Sequence, residues 1–326
     1  MTGRTILVVR LGAMGDIIHA LPAAASLKHS YAGSHLTWAV EARWAPLLEG
    51  NPFIDHLALV RRDGPAALLA TWRGLRADRF DFAVDFQGLL KSALVASVAR
   101  PDRIIGFHQS QVRERAAALF YSNQAISHAL HVVDRNLDLA GAAGAGAVLR
   151  VFPLPSGCPE GDLPRGDFVL ASPLAGWRAK QWPTEYYSEL GSLLRRELGI
   201  PLVLNGPPSE RAVLTAVDHT APHCSGLPGL IDATRRAAAV LGVDSGPLHL
   251  AAALAKPGVA IFGPTDPARN GPYGDSLQVL RPGGAGTTYK RGTNLDESMR
   301  RISPVQVFEA LRAVLGDHRG SARCLA

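Results

Sequence analysis

The chain has 326 residues, of which 47% are hydrophobic and 19% charged, a balance that suits two ordinary domains and excludes a disordered protein. Its three cysteines, Cys158, Cys224 and Cys324, include no pair at metal-ligand spacing, which argues against a disulfide framework and for a reducing cytoplasm. The net charge of +6 is spread evenly, with 16 basic and 13 acidic side chains in residues 1–160 and 18 and 15 in residues 161–326. That distribution lacks the clustered stripe of a nucleic-acid binder and suits an anionic small-molecule pocket.

The N-terminus, Met1-Thr2-Gly3-Arg4, has no apolar core or cleavage site of a signal peptide. No apolar run approaches the roughly 20 residues of a membrane-spanning helix, although contact with a membrane surface stays open. The first half then gives five short apolar runs, Ile6–Val9, His35–Val40, His56–Val60, Phe82–Asp85 and Arg103–Gly106, separated by stretches of helical spacing. Such runs read as strands buried on both faces.

Directly after the first run comes Arg10-Leu-Gly12-Ala-Met-Gly15-Asp16, ahead of a helix expected over Ile17–His29. Glycines here let the backbone approach a ligand, and amides opening a helix attract anions. The spacing G-x-x-G-D is not the dinucleotide fingerprint, so NAD is disfavoured. Asp16 is either an N-cap or a general base at the carboxyl end of the strand. The fourth run leads into Asp85-Phe-Gln87-Gly88-Leu-Leu-Lys91-Ser92, which places Gln87 and Lys91 either near the same cleft or on an ordinary connecting loop. Arg113-Glu114-Arg115 follows, suited to clamping an anion or to forming a solvated helix face.

Val151–Asp167 carries four prolines and three glycines and reads as a linker. A second series of apolar runs follows at Phe168–Ala171, Pro201–Asn205, Ala239–Val243, Val259–Phe262 and Gln278–Leu280. After the first of these, Lys180-Gln181-Trp182-Pro183 places a lysine near a helix start, where it suits a phosphate. Glu210 follows the second and suits ribose hydroxyls. Val243-Asp244-Ser245-Gly246-Pro247-Leu248-His249 offers a carboxylate, a hydroxyl and the amides of a helix start. Asp244 or Ser245 as N-cap, and His249 as an ordinary helix histidine, are the alternatives. Ser303-Pro304 opens a last helical segment, Ser303–Leu315, by N-cap and first-turn proline.

Taken in order, RLGAMGDIIHALPA (Arg10–Ala23), DFQGLLKSA (Asp85–Ala93), RERAAALFY (Arg113–Tyr121), KQWP (Lys180–Pro183), VDSGPLHLAAAL (Val243–Leu254) and FGPTDP (Phe262–Pro267) resemble glycosyltransferase family 9, the ADP-heptose:lipopolysaccharide heptosyltransferases. Within that family the likeness is greatest to members adding the first inner-core heptose. The resemblance implies an α/β chain of GT-B fold, two facing Rossmann-like domains with parallel sheets and a cleft between them. The acceptor domain would span 1–155 and the donor domain 167–302, with the helix from about 303 packing back on the first.

It implies an inverting, metal-independent transfer of heptose from ADP-heptose to a Kdo residue of Kdo-lipid A, without a cofactor. Asp16 would be the base and Lys180 would neutralise departing ADP. Gly12, Gly15, Glu210, Asp244, Ser245, Gly246 and His249 would join Lys180 in holding the donor, and Gln87, Lys91 and Arg113 would face the acceptor. The expected place is the cytoplasm, with contact at the inner membrane surface. Ala175 and Gly176 depart from the family pattern, standing where hydroxyl residues are common. Another family 9 transferase, a sugar-nucleotide epimerase and a non-catalytic nucleotide-sugar binder on the same fold are the competing readings.

Overall fold

A computed structural model describes residues 3–61, 63–288 and 292–323; Cys324 lies outside them. The chain divides into two compact units, Met1–Pro155 and Ser156–Ala326. In the first, strands β1 (Thr5–Val9), β2 (His35–Glu41), β3 (His56–Val60), β4 (Phe82–Asp85), β5 (Ile104–Phe107) and β6 (Asn123–Ala125) alternate with helices α1 (Met14–Ser30), α2 (Pro65–Ala77), α3 (Leu90–Val98) and α4 (Val132–Ala142), plus 3-10 turns at Ala42–Leu47 and Arg115–Phe120. In the second, strands β7 (Val169–Ser172), β8 (Leu202–Gly206), β9 (Thr220–Cys224), β10 (Ala239–Val243), β11 (Gly258–Ile261) and β12 (Leu277–Leu280) alternate with α5 (Thr184–Leu198), α6 (Arg211–Thr215), α7 (Leu227–Arg236), α8 (Gly246–Ala253), α9 (Pro267–Asn270), α10 (Glu297–Arg300) and α11 (Pro304–Arg323).

Both sheets are parallel, ordered β3-β2-β1-β4-β5-β6 and β12-β11-β10-β7-β8-β9. Renumbered within its own unit, the second order is the mirror-listed form of the first, so one topology occurs twice. The central strands β1, β4, β7 and β10 are fully buried apart from the first residue of β1, because apolar side chains on both faces meet helices on both sides.

Two of the four edge strands, β6 and β9, coincide with no apolar run in the sequence. β6 is three residues, Asn-Gln-Ala, and β9 carries Pro222 in a stretch without apolar periodicity. Both sit at a sheet edge, where half the backbone needs no partner and proline is tolerated.

The proline-rich Val151–Asp167 contains no helix or strand, yet it is not a free linker. Asn51 donates to the Pro153 carbonyl at 3.0 Å in the first unit. In the second, the Cys158 amide donates to Pro228 O at 3.1 Å, and the Glu160 carboxylate accepts the Gly226 amide ahead of α7.

The last helix starts where the sequence indicated: Ser303 Oγ accepts the Gln306 amide while Gln306 Oε1 accepts the Ser303 amide, a reciprocal cap. Its expected packing on the first domain is corrected, because Val307, Phe308, Leu311 and Leu315 lie in the core of the second unit with Trp182, Tyr187 and Leu190. Among the described residues no helix is long and apolar enough to cross a membrane.

Candidate active site

In each unit the strand order reverses at one place, between β1 and β4 and again between β7 and β10. Ligands of open parallel sheets bind beyond the carboxyl ends of the strands at such a reversal. The segments following those four strands are Arg10–Ala13, Phe86–Leu89, Pro173–Pro183 and Asp244–Ser245, and together with the first turns of the helices after them they hold most of the residues singled out from sequence.

In the first unit α1 begins at Met14, three residues earlier than expected, so Gly15 lies inside the first helical turn. Ala13 is the N-cap and Asp16 the third helical residue, which replaces the N-cap alternative for Asp16. One Asp16 oxygen accepts the Ala13 amide at 3.2 Å, and the other pairs with Arg10 Nη2 at 2.8 Å. The Asp16 side chain remains 43% exposed, so it can meet a ligand. Arg10 is buried, and its other terminal nitrogen donates to the Phe86 carbonyl at 2.5 Å. Its planar fork thereby ties the two loops of the reversal together. Gln87 Oε1 makes a second tie, accepting the Leu11 amide at 2.8 Å. A side chain at Gly12 would bring its Cβ within 2.8 Å of Trp44 Nε1, so the loop passes too close to the indole for any larger residue.

Asp85 is fully buried behind this loop. It accepts from the Gln87 amide (2.8 Å), the Gly88 amide (3.4 Å), Ser92 Oγ (2.8 Å) and Tyr121 OH (2.7 Å). Burial pushes its carboxyl above the ordinary range against the pull of those four bonds. Burial and the Asp85 charge likewise push the Tyr121 phenol up.

Lys91 reaches Glu41 at 3.4 Å, and Arg43 reaches the same carboxylate at 2.9 Å. Burial would raise the Glu41 carboxyl, but the bond from Arg43 and the Lys91 charge hold it below the usual range. Arg113 is exposed ahead of a 3-10 turn rather than on a helix. Its neighbour Glu114 accepts the Leu90 amide at 2.7 Å and so closes the start of α3.

In the second unit Lys180 ends a 3-10 turn held by its neighbours: Gln181 donates to Ala175 O at 3.0 Å, and buried Trp182 donates to Ile302 O at 2.9 Å. Lys180 Nζ lies 2.6 Å from Asp244 Oδ2 and 4.3 Å from the centre of the Trp177 ring. His249 Nε2 lies 3.6 Å from the other Asp244 oxygen. Burial opposes ionisation of Asp244, yet the His249 ring beside it and the Lys180 charge hold its carboxyl well below the usual range.

Ser245 is the N-cap of α8, but its hydroxyl makes no capping bond and is buried without a hydrogen-bond partner. Such a hydroxyl beside the Gly246 amide at a helix start is set to bind an anion. Glu210 is half-buried in the turn Pro208–Glu210, at the carboxyl end of β8, the strand next to β7.

Each unit thus gathers its own set: Asp16, Gly12, Gly15 and Gln87 around the first reversal, and Lys180, Asp244, Ser245, Gly246 and His249 around the second. Arg10, Asp85 and Tyr121 were not identified as site residues from sequence. A charged residue ending the buried run ILVV was the available signal for Arg10.

The model of glycosyltransferase family 9 (heptosyltransferase) matches residues 68–297. The chain belongs to glycosyltransferase family 9. It is 30% identical over 297 residues, 83% of the chain and 82% of the relative, to lipopolysaccharide heptosyltransferase 1 of Pseudomonas aeruginosa. Among solved structures it resembles the E. coli heptosyltransferase WaaC with ADP-2-deoxy-2-fluoro heptose, with TM-score 0.75, 24% identity and coverage of 95% of this chain and 99% of the other. A family 9 glycosyl transferase from Veillonella parvula gives TM-score 0.81 at 21% identity, covering 96% and 98%. These likenesses establish the GT-B fold class expected from the sequence, and family membership makes this chain a glycosyltransferase enzyme.

Proposed function

We propose that this glycosyltransferase moves heptose from ADP-heptose to a Kdo residue of the lipopolysaccharide inner core, with inversion. The observation that carries the reading is the Lys180–Asp244–His249 cluster at the start of α8, beside the unpartnered Ser245 hydroxyl. That set supplies a lysine cation, the Gly246 amide and a hydroxyl for a diphosphate, with a carboxylate for sugar hydroxyls. The ADP-heptose analogue bound by the E. coli relative supports the donor, and the lipopolysaccharide heptosyltransferase 1 relatives support the acceptor class.

In this reading the acceptor hydroxyl oxygen attacks the anomeric carbon of heptose. The bond from that carbon to the diphosphate oxygen breaks, its electron pair leaves with ADP, and the hydroxyl proton passes to the Asp16 carboxylate. Arg10 holds Asp16 in place. Lys180, Ser245 and the Gly246 amide stabilise the charge on departing ADP, Asp244 and Glu210 hold sugar hydroxyls, and His249 orients Asp244. Gln87, Lys91 and Arg113 serve the acceptor side. No metal is needed in this scheme, so a chelator leaves turnover unchanged.

Turnover of a panel of nucleotide sugars, with and without Kdo-lipid A, tests the reading. It predicts preference for ADP-heptose and dependence on Kdo. A preference for UDP-hexoses sinks the donor assignment, and conversion of the donor without any acceptor favours an epimerase.

A further inference from the structure

The surface of the first unit carries a feature that the transfer chemistry leaves unused. Of the large hydrophobic side chains exposed among the described residues, eleven belong to the first unit and only three, all valines, to the second. Six of the eleven lie on one layer. α2, α3 and the turn Arg115–Phe120 cover one face of the first sheet, since Leu75, Ala93, Ala96, Ala117 and Ala118 share a core with Leu7, Val9 and Ala83.

On α2 the residue buried in that core is Leu75, so the remaining helix surface should be mostly polar. It holds Leu68, Leu69 and Trp72 instead, each between 44% and 49% exposed. Along the same layer Leu90 and Leu94 of α3 are exposed, and Leu119 is 86% exposed. An apolar stripe of this extent on a soluble domain marks a contact surface.

The charges around it identify the contact. Arg73, Arg76, Arg79 and Arg115 are exposed beside these residues and outnumber the exposed Asp78, Asp102 and Glu114; Arg79 pairs with Asp102 at 3.8 Å, and the Arg76 guanidinium lies 5.2 Å over the Trp72 ring. Leucine and tryptophan flanked by arginine is the composition of a helix lying in a lipid headgroup region. An anionic bilayer complements those arginines. A second copy of the chain does not, because a two-fold contact across this layer would bring the same arginines together.

We propose that the outer face of α2, α3 and the Arg115–Phe120 turn docks on an anionic lipid bilayer, with Leu68, Leu69 and Trp72 entering the headgroup boundary and Arg73, Arg76 and Arg79 at lipid phosphates. The proposal deepens the reading of a lipid-borne acceptor, but it is tested on vesicles that hold no sugar acceptor, so the two can fail separately. Full-length protein is sedimented with vesicles of phosphatidylcholine alone or of equal parts phosphatidylcholine and phosphatidylglycerol.

The expected result is at least about tenfold tighter partition to the anionic vesicles, falling with added salt. The triple change Leu68→Ser, Leu69→Ser, Trp72→Ser lowers that partition at least about tenfold with the melting curve unchanged, and Arg73→Glu with Arg79→Glu brings it to the neutral-vesicle level. If the triple variant melts early, Leu94→Ser with Leu119→Ser, on side chains that reach solvent, gives the same readout. Equal binding to neutral and anionic vesicles, wild-type binding by these variants, or a dimer that the variants abolish without any vesicle binding would each overturn the proposal.

Discussion

Lys180 Nζ and Asp244 Oδ2 lie 2.6 Å apart with both side chains largely withdrawn from solvent. Removing one member of such a pair leaves the other charge buried and alone. Lys180→Ala is therefore expected to destabilise the second unit by about 3 kcal/mol and to slow transfer about 10²- to 10³-fold. Chemical denaturation and initial rates on the same preparation check both numbers.

Asp244 and Asp85 make opposite pH predictions. The Asp244 carboxyl titrates lower when folded, so the stability it contributes is complete above the unfolded value near 3.8 and is lost as pH falls below that. The Asp85 carboxyl titrates higher when folded, so stability is lost as pH rises from 3.8 through its raised value. Asp244→Asn should remove the acid-side loss. Asp85→Asn should be neutral or stabilising at pH 7, since its oxygen still serves the two amides while its NH2 faces the hydroxyls of Ser92 and Tyr121. Asp85→Ala should cost about 2 kcal/mol by stranding those donors. Melting curves across pH separate the three.

Arg10 bridges Phe86 O and Asp16 with two nitrogens of one fork, a geometry that lysine cannot reproduce. Arg10→Lys should lower kcat about 10- to 100-fold while ADP affinity in the second unit is unchanged. Rates alongside ADP titration show whether the loss is confined to the Asp16 side.

At Gly106, in β5, an added Cβ would fall 2.3 Å from the Tyr121 ring. Gly106→Ala forces that ring away and breaks its bond to Asp85. The expected cost is about 1–3 kcal/mol, with acceptor KM raised more than donor KM. Tyr121→Phe should reproduce the KM effect with less loss of stability.

Leu311→Ala tests where the last helix belongs. Leu311 is fully buried in the core of the second unit, so truncation should cost about 2–5 kcal/mol. The melting transition that ADP raises is the one that should drop.

Ten of the twelve strands among the described residues were legible because buried parallel strands are near-continuous apolar runs, and each began or ended within one or two residues of its expected place. β6 and β9 were not, since an edge strand such as Asn123–Ala125 needs neither apolar faces nor a full ladder. Lys180, Asp244 and Ser245 were legible from their position after a strand and before a helix. That Lys180 pairs with Asp244, 64 positions away, was not, because sequence spacing carries no information about which loops a strand order brings together. Asp85 shows the same limit: its partner Tyr121 arrives from beyond β5, 36 residues on. The last helix was located correctly from its cap but assigned to the wrong unit, since a cap fixes where a helix starts and not what it packs against.

The most direct test of the account is release of ADP from ADP-heptose, with and without Kdo-lipid A, by the wild type and by Asp16→Ala in parallel. The account predicts release by the wild type only with the acceptor present, a loss of at least about 10³-fold in Asp16→Ala, and ADP binding by that variant within about twofold of wild type, because the role proposed for Asp16 is on the acceptor side. Acceptor-dependent release that survives in Asp16→Ala would contradict it.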